Sequence, residues 1–382
     1  MIRGNRHARV LEIGKFYPPH MGGIETHLQD LCGELTRSIP LRVLVANDSR
    51  RHLDEIVDGV RVIRLAPLLN VSTAPVCPRM APEIRRARAD LVHIHLPNPA
   101  ALLAYFASAH RGRLVLTWHS DVVRPPLVTR ALAPLQRIAL RRASACIVTS
   151  RRYLETSPIL SERSRRCRVI PYGIRFERFL HCDPGAVARI RSRFGARLLL
   201  AVGRFAYYKG FEFLIHAMRY VDGHLLLIGD GPLREMLERD ARALGVSDRV
   251  SFLGEIHNRM LAPYYHAADV FVLPSVARSE AFGIVQLEAM ACGLPVVNTR
   301  LDSGVPSVSL DGTTGLTVPP CAPEPLAVAI NRLLDDPALR ARYGAAGRRR
   351  VAAEFNLDLM TRRTLDLYRE ALSCRCDPRA VA

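Results

Sequence analysis

Two glutamates stand eight residues apart in Ser279-Glu280-Ala281-Phe282-Gly283-Ile284-Val285-Gln286-Leu287-Glu288-Ala289-Met290, and their surroundings give them different chemistry. Helical spacing begins at about Gly283 and stops at Gly293, a residue type suited to the left-handed end of a helix. Ile284, Leu287, Glu288 and Ala291 then share one face, because residues three, four and seven apart line up on a helix. A carboxylate on that apolar stripe is costly unless partners satisfy it. Paired hydroxyls, as on a sugar, would donate to Glu288 and satisfy it. Glu280 lies in the loop before the helix, beside the N–H groups of Ala281, Phe282, Gly283 and Ile284. A helix start of this kind attracts an anion through its free N–H groups and its macrodipole.

Cations come from Val202-Gly203-Arg204-Phe205-Ala206-Tyr207-Tyr208-Lys209-Gly210. Arg204 offers a planar fork and Lys209 a point charge, a combination that fits a diphosphate. In Ile228-Gly229-Asp230-Gly231-Pro232 the glycines Gly229 and Gly231 let backbone approach a flat ring such as a nucleobase, and Ile256 is grouped with them. The spacing is not the dinucleotide fingerprint, which needs a further glycine. Gly22-Gly23 precedes a helical stretch from about Ile24 and permits close approach of main chain to a phosphate or an acceptor. His119 follows the apolar run 114–118, with Asp121 two residues on. Both are expected on the acceptor side, His119 as a catalytic candidate.

The elements that must position these groups alternate between short apolar runs and longer stretches of 3.6 periodicity, the pattern of parallel sheets with crossover helices. Strands are expected at 10–13, 42–46, 91–95, 114–118, 145–149 and 168–170, and again at 198–202, 224–228, 250–252, 270–273 and 295–298. The restart marks a second domain, as expected for a chain of 382 residues, since single cores seldom grow beyond ~250–300 residues. A linker near 172–190 gives a first Rossmann-like domain over 1–180, a second over 181–357 and a helical tail over 358–382 that packs back on the first. Ligands of such sheets bind beyond the carboxyl ends of the strands. Two facing domains would therefore share a cleft.

Composition narrows the partners. The net charge of +18 comes mainly from Arg and points to something anionic: nucleic acid, acidic lipid or a phosphorylated substrate. One Trp and dispersed basic residues argue against nucleic acid, which calls for stacking aromatics or a confined binding motif. The nine cysteines are scattered, with Cys146 and Cys292 in apolar runs, as small hydrophobic fillers. Cys374-Arg375-Cys376 lacks a second ligand pair for zinc. No signal-peptide core and no run of ~18 apolar residues occurs, so a cytoplasmic protein is expected.

The glutamates eight apart, the Gly203–Gly210 loop with Arg204 and Lys209, and Pro18-Pro19-His20-Met21-Gly22-Gly23-Ile24-Glu25 together resemble glycosyltransferase family four over nearly the whole chain. The resemblance implies an α/β GT-B fold and metal-independent transfer from a nucleotide-sugar with retained configuration. It assigns Arg204 and Lys209 to the donor diphosphate, with Gly22, Gly23, Phe282, Gly283 and Ile284, and Glu288 to ribose. Glu280 goes to the transferred sugar, and His119 matches a family histidine. Catalysis would thus rest on His119, Glu280, Arg204 and Lys209, with no metal ligand and no cofactor beyond the donor.

Thr117-Trp118-His119-Ser120-Asp121-Val122-Val123-Arg124 and Ser150-Arg151-Arg152-Tyr153-Leu154-Glu155-Thr156-Ser157-Pro158 resemble bacterial surface-polysaccharide mannosyltransferases. That points to GDP-mannose as donor and a lipid-linked saccharide as acceptor, with UDP-sugars the alternative because the same motifs serve them. The segment 126–142 mixes Leu127, Leu132, Leu135, Ile138 and Leu140 with Arg130, Arg137, Arg141 and Arg142. As an amphipathic helix it would meet an anionic membrane surface. The other readings are a nucleotide-sugar epimerase or an α-glucan synthase among enzymes, and a basic nucleic-acid-binding protein from another class.

Overall fold

A computed structural model describes residues 8–20, 22–71, 74–121 and 126–373. Met21, residues 122–124 and the Cys374-Arg375-Cys376 tail singled out above lie outside them. The chain divides into two compact units, one holding the described residues up to Gly173 together with those from Leu357 onward, the other Ile174–Asn356.

The first unit is built on an eight-stranded sheet and a small hairpin. Its strands are β1 (Val10–Ile13), β2 (Leu41–Ala46), β3 (Leu53–Val57), β4 (Val60–Leu65), β5 (Leu69–Val71), β6 (Ala74–Val76), β7 (Leu91–Leu96), β8 (Arg113–Trp118), β9 (Ala145–Val148) and β10 (Cys167–Val169). The order across the sheet is β10-β9-β8-β7-β1-β2-β4-β3, and β5 pairs only with β6. Every neighbour in the large sheet is parallel except β3 against β4. Parallel strands are covered by helices on both faces and become continuously apolar, and β7 and β9 are buried at every residue.

Residues Leu53–Val57 and Val60–Leu65, which are not among the expected strands, form a hairpin on the sheet edge. Its turn is Asp58-Gly59, both at positive φ (49° and 81°), the backbone that Asp-Gly favours in tight hairpins. The helix Leu357–Ser373 belongs to this unit, with Leu357, Met360, Leu367, Tyr368 and Ala371 in one core with Val10, Leu28, Leu31 and Val43.

The second unit has an all-parallel sheet of β11 (Leu198–Val202), β12 (His224–Ile228), β13 (Val250–Gly254), β14 (Val270–Leu273), β15 (Val296–Thr299) and β16 (Gly315–Val318), in the order β13-β12-β11-β14-β15-β16. β16 was not foreseen: Gly315-Leu316-Thr317-Val318 is too short and mixed to stand out. The segment 184–194, which overlaps the end of the expected linker, is a helix whose N-cap Asp183 accepts from Gly185 and Ala186. Among the described residues seven cysteines are free thiols, five of them buried, while Cys321 is exposed.

Strand order fixes where ligands go. From β11 the chain moves to one side for β12 and β13, then crosses back to β14 on the other side. Loops leaving β11 and β14 therefore diverge at a topological switch point, where open α/β sheets bind their ligands. In the first unit the corresponding break lies at β1, flanked by β2 and β7.

Candidate active site

The two loops at the switch point of the second unit carry the charged residues singled out above, and backbone joins them, Val276 N donating to Tyr208 O at 2.9 Å. Lys209 sits in the β11 loop and Glu280 in the β14 loop, with Nζ 2.6 Å from Oε2. The Ser275 hydroxyl donates to the same carboxylate oxygen at 3.1 Å. Burial works against the Lys209 ammonium, but the Glu280 charge beside it prevails and holds its pKa above the ordinary lysine value. Lys209 is thus a fixed cation, whereas Arg204 is exposed on the same loop.

Glycines shape this corner. The Lys209 side chain passes over Gly203, where an added Cβ would stand 3.1 Å from Lys209 Cε. At Gly229 (φ +135°) a Cβ would lie 2.1 Å from Gly203 O, and at Gly231 (φ +156°) one would lie 2.7 Å from Phe205 O. The requirement for glycine at 229 and 231 is thus met by loop packing, apart from any ring they could face. Ile256 is half-buried just past β13.

Phe282 and Gly283 lead into the helix Ile284–Ala291, with Gly283 at φ +74° as its N-cap. Leu287 and Ala291 are buried and Glu288 is half-buried on the same helix. Glu288 has a partner that the sequence reading missed: the Tyr265 hydroxyl donates to its Oε2 at 2.6 Å. Burial first and Glu288 second drive the Tyr265 pKa well above its ordinary value, so the phenol keeps its proton and orients the carboxylate. Gln286 is buried and donates to Phe282 O at 3.0 Å, while Asn298 donates to its Oε1 at 2.9 Å. This amide chain braces the helix start from β15.

In the first unit, Gly22 caps the helix Gly23–Leu35, and Glu25 folds back so that its Oε2 would stand 2.2 Å from a Cβ at position 22. His119 follows β8 but is 2% exposed. Its Nε2 lies 2.8 Å from His95 Nδ1, and its Nδ1 is hydrogen-bonded to the Tyr172 hydroxyl. Burial first, then the His95 and His27 rings, push its pKa well below the ordinary value. Asp121 Oδ1 accepts from Trp118 Nε1 at 2.8 Å and from Ser157 Oγ at 3.1 Å, ties that fix the loop beyond β8.

His119 belongs to a larger buried polar group that the sequence reading did not assemble. Glu12 in β1 is fully buried; its Oε2 lies 3.0 Å from His95 Nε2 and 2.9 Å from His93 Nδ1, and its Oε1 accepts from the Tyr368 hydroxyl at 2.5 Å. Burial would raise the Glu12 pKa, but the two rings outweigh it and hold the carboxyl well below its usual range. The signal was present: Val10-Leu11-Glu12-Ile13 and His93-Ile94-His95 put acid and imidazoles inside apolar strands, where period-two alternation sends His93 and His95 to one side.

Comparison with known proteins places this architecture. Residues 21–178 match the model described as Glycosyltransferase Family 4, and residues 188–350 match Glycosyl transferases group 1. A GDP-mannose-dependent alpha-(1-6)-phosphatidylinositol monomannoside mannosyltransferase of Mycolicibacterium smegmatis is 34% identical over 89% of this chain and 92% of its own. O-antigen chain mannosyltransferase C of Escherichia coli is 28% identical over 96% and 100%, and D-rhamnosyltransferase WbpZ of Pseudomonas aeruginosa is 30% identical over 88% and 89%. Among solved structures, the sucrose-phosphate synthase of Thermosynechococcus elongatus superposes with a TM-score of 0.81 at 26% identity, covering 95% of this chain and 98% of its own. Anabaena Alr3699/HepE in complex with UDP and glucose gives a TM-score of 0.79 at 21% identity over 95% and 100%, a likeness of fold. The two parallel-sheet units have the GT-B fold, and with both halves matched the chain is a glycosyltransferase of family 4.

Proposed function

We propose that the chain moves mannose from GDP-mannose to a hydroxyl of a lipid-linked saccharide in surface-polysaccharide synthesis, retaining configuration and using no metal in the transfer step. The observation that carries this reading is the buried Lys209–Glu280 pair at the switch point of the second unit, a cation fixed where a leaving diphosphate needs one. Arg204 adds an exposed second cation, and the N–H groups at Phe282, Gly283 and Ile284 complete the cradle. Glu288, oriented by Tyr265, accepts from the ribose hydroxyls, and Glu280 meets the transferred sugar. Gly229, Gly231 and Ile256 border the base.

Transfer of this kind is driven by positioning and by electrostatic stabilisation of the leaving charge. The acceptor hydroxyl attacks the anomeric carbon on the face from which the diphosphate departs, and the leaving phosphate takes its proton, which gives retention without a covalent sugar–enzyme adduct. Because His119 is enclosed with both nitrogens engaged, it and Asp121 serve the acceptor side by supporting the loop beyond β8. GDP-mannose is favoured by the mannosyltransferases among the relatives, one of them 34% identical. The D-rhamnosyltransferase at 30% identity makes the sugar a separate question from the base.

No helix among the described residues is long and apolar enough to cross a membrane. The helix Pro126–Arg142, which exposes Leu127, Val128 and Ile138, meets the lipid-linked acceptor at an anionic surface.

Thermal shift with GDP, UDP and ADP tests the donor. A nucleotide at 100 times its Kd adds about 2.7 kcal/mol of stability, so GDP should raise the melting temperature and ADP should not. A response to UDP alone refutes the guanine reading and leaves a UDP-sugar transferase. Release of GDP from GDP-mannose that depends on added lipid-linked saccharide then tests the sugar and the acceptor.

A further inference from the structure

We propose that His27, His95 and His119 form a binding site for one divalent transition-metal ion of borderline softness, such as Zn2+, within the first unit. The three imidazoles come from three elements: His27 from the helix Gly23–Leu35, His95 from β7, and His119 from the residue after β8. One ring nitrogen from each lies within 4.8 Å of the other two. They are 7%, 2% and 2% exposed. Among the described residues neither ring nitrogen of His27 has a hydrogen-bond partner, though its ring centroid lies 5.3 Å from that of His119 and 5.9 Å from that of His95. A buried polar side chain left unpaired is costly and rare in native proteins. A ligand between the rings accounts for it.

The contacts on the far side of the rings are those of metal-binding histidines, which pass their second nitrogen to a carboxylate or another polar group. Glu12 is such a carboxylate, 3.0 Å from His95 Nε2. An ionised carboxylate only accepts, so His95 Nε2 carries the proton and the Nδ1 lone pair faces inward. Without metal, that lone pair accepts from His119 Nε2–H across 2.8 Å, and the Tyr172 hydroxyl donates to His119 Nδ1. On binding, the His119 proton moves to Nδ1 and is donated to the Tyr172 oxygen, which frees Nε2 for the ion. No proton is taken up or released; a tautomer changes.

Three histidines with a water in the fourth position is a recurrent zinc set, with the nitrogens about 2.0–2.1 Å from the ion. The neighbouring Glu12, His93 and His95 group is no rival. Its carboxylate already accepts from Tyr368 and from the imidazoles, and His93 Nε2 pairs with Thr117 Oγ1 at 2.7 Å.

The test titrates chelator-treated full-length protein with Zn2+ and Co2+, following stoichiometry by elemental analysis, Co2+ visible absorption and melting temperature. One equivalent is expected, with an intense four-coordinate Co2+ spectrum and a rise in melting temperature. His27→Leu, which removes an unpaired imidazole, should melt no lower than wild type without metal and should lose both the bound equivalent and the metal-dependent rise. Glu12→Gln should weaken binding about 10–100-fold, while His181→Ala, at an exposed position, should bind as wild type does. Absence of stoichiometric binding, or unchanged binding by His27→Leu, overturns the site. None of these readouts uses a nucleotide or a sugar, so this site and the donor reading stand or fall separately.

Discussion

Lys209 Nζ stands 2.6 Å from Glu280 Oε2, and each side chain is 10% exposed. Neither group gains from such burial alone; the pair is retained because each satisfies the other until an anion arrives. Lys209→Ala would strand the Glu280 carboxylate beside Ser275, and breaking a buried pair on one side costs about 3–5 kcal/mol. The variant should melt well below wild type. It should also bind nucleoside diphosphate about 1.5–3 kcal/mol more weakly, the usual worth of a hydrogen bond to a charged group. Calorimetric titration with GDP reads the second effect, and wild-type affinity there would remove Lys209 from the diphosphate site.

Glu288 and Tyr265 give a graded pair of variants. Glu288→Ala deletes the acceptor for the ribose hydroxyls and should lower nucleotide affinity by about 1.5–3 kcal/mol. Tyr265→Phe leaves the carboxylate but releases its orientation at Oε2, so the loss should be smaller, about 0.5–1.5 kcal/mol for one neutral hydrogen bond. Inosine, guanosine and 2′-deoxyguanosine diphosphates separate ribose from base contributions. If Glu288→Ala binds GDP and transfers sugar as wild type does, the ribose assignment is lost.

Legibility followed physical distinctness. The strands β1, β11, β12 and β14 fall on their apolar runs to the residue, because parallel strands enclosed by helices have no polar face to blur them. Glu288 was visible as a carboxylate on an apolar helical stripe, Glu280 by its place just before that helix, and Arg204 and Lys209 as two cations in one glycine-bounded loop after a strand. The edge hairpin was missed although Asp58-Gly59 announced it: Leu53–Val57 is largely exposed, so it lacks an apolar signature. Tyr265 was invisible for another reason. A buried tyrosine in a short helix looks like core, and only the fold brings its hydroxyl to a carboxylate 23 positions away. The Glu12–His95–His119 chain likewise joins residues from separate strands, although each taken singly was an anomaly in an apolar run.

The buried imidazoles make stability depend on pH in the metal-free protein. His27, His95 and His119 have folded pKa values below the ordinary 6.5, so below pH ~6.5 the unfolded chain takes up protons that the folded one refuses. Stability should be level above pH 7 and fall as pH drops through 6.5, by about 1.4 kcal/mol per pH unit for each of His27 and His119, the two depressed furthest. Glu12 has the opposite charge type but the same direction. Its folded pKa is depressed, so its contribution is complete above 4.5 and is lost as pH falls below that. His27→Leu should remove one ring's share of the slope between pH 6.5 and 5. Denaturant melts of the two proteins across that range would show parallel curves if His27 were solvated in the folded state.

The helix Pro126–Arg142 should hold the protein to acidic lipid. Leu127, Arg130, Ala131, Pro134, Ile138 and Arg141 recur at helical spacing and all are exposed, so one face offers two large apolar side chains framed by arginine. Arg137 is not available in the same way, since it pairs with Glu162 at 3.0 Å. Each arginine near an anionic surface is worth about 1 kcal/mol, and the attraction fades within a Debye length. Sedimentation with phosphatidylglycerol vesicles should therefore bring the protein down at low salt and release most of it at about 0.5 M, where the Debye length has shrunk to a few ångströms. Replacing Arg130 and Arg141 with Glu should abolish co-sedimentation, while Leu127→Ser with Ile138→Ser should leave a weaker, wholly salt-sensitive attachment. Equal binding to neutral phosphatidylcholine vesicles, or retention by the Arg130→Glu, Arg141→Glu variant, would show that this helix is a solvated surface and that the acceptor is reached by another route.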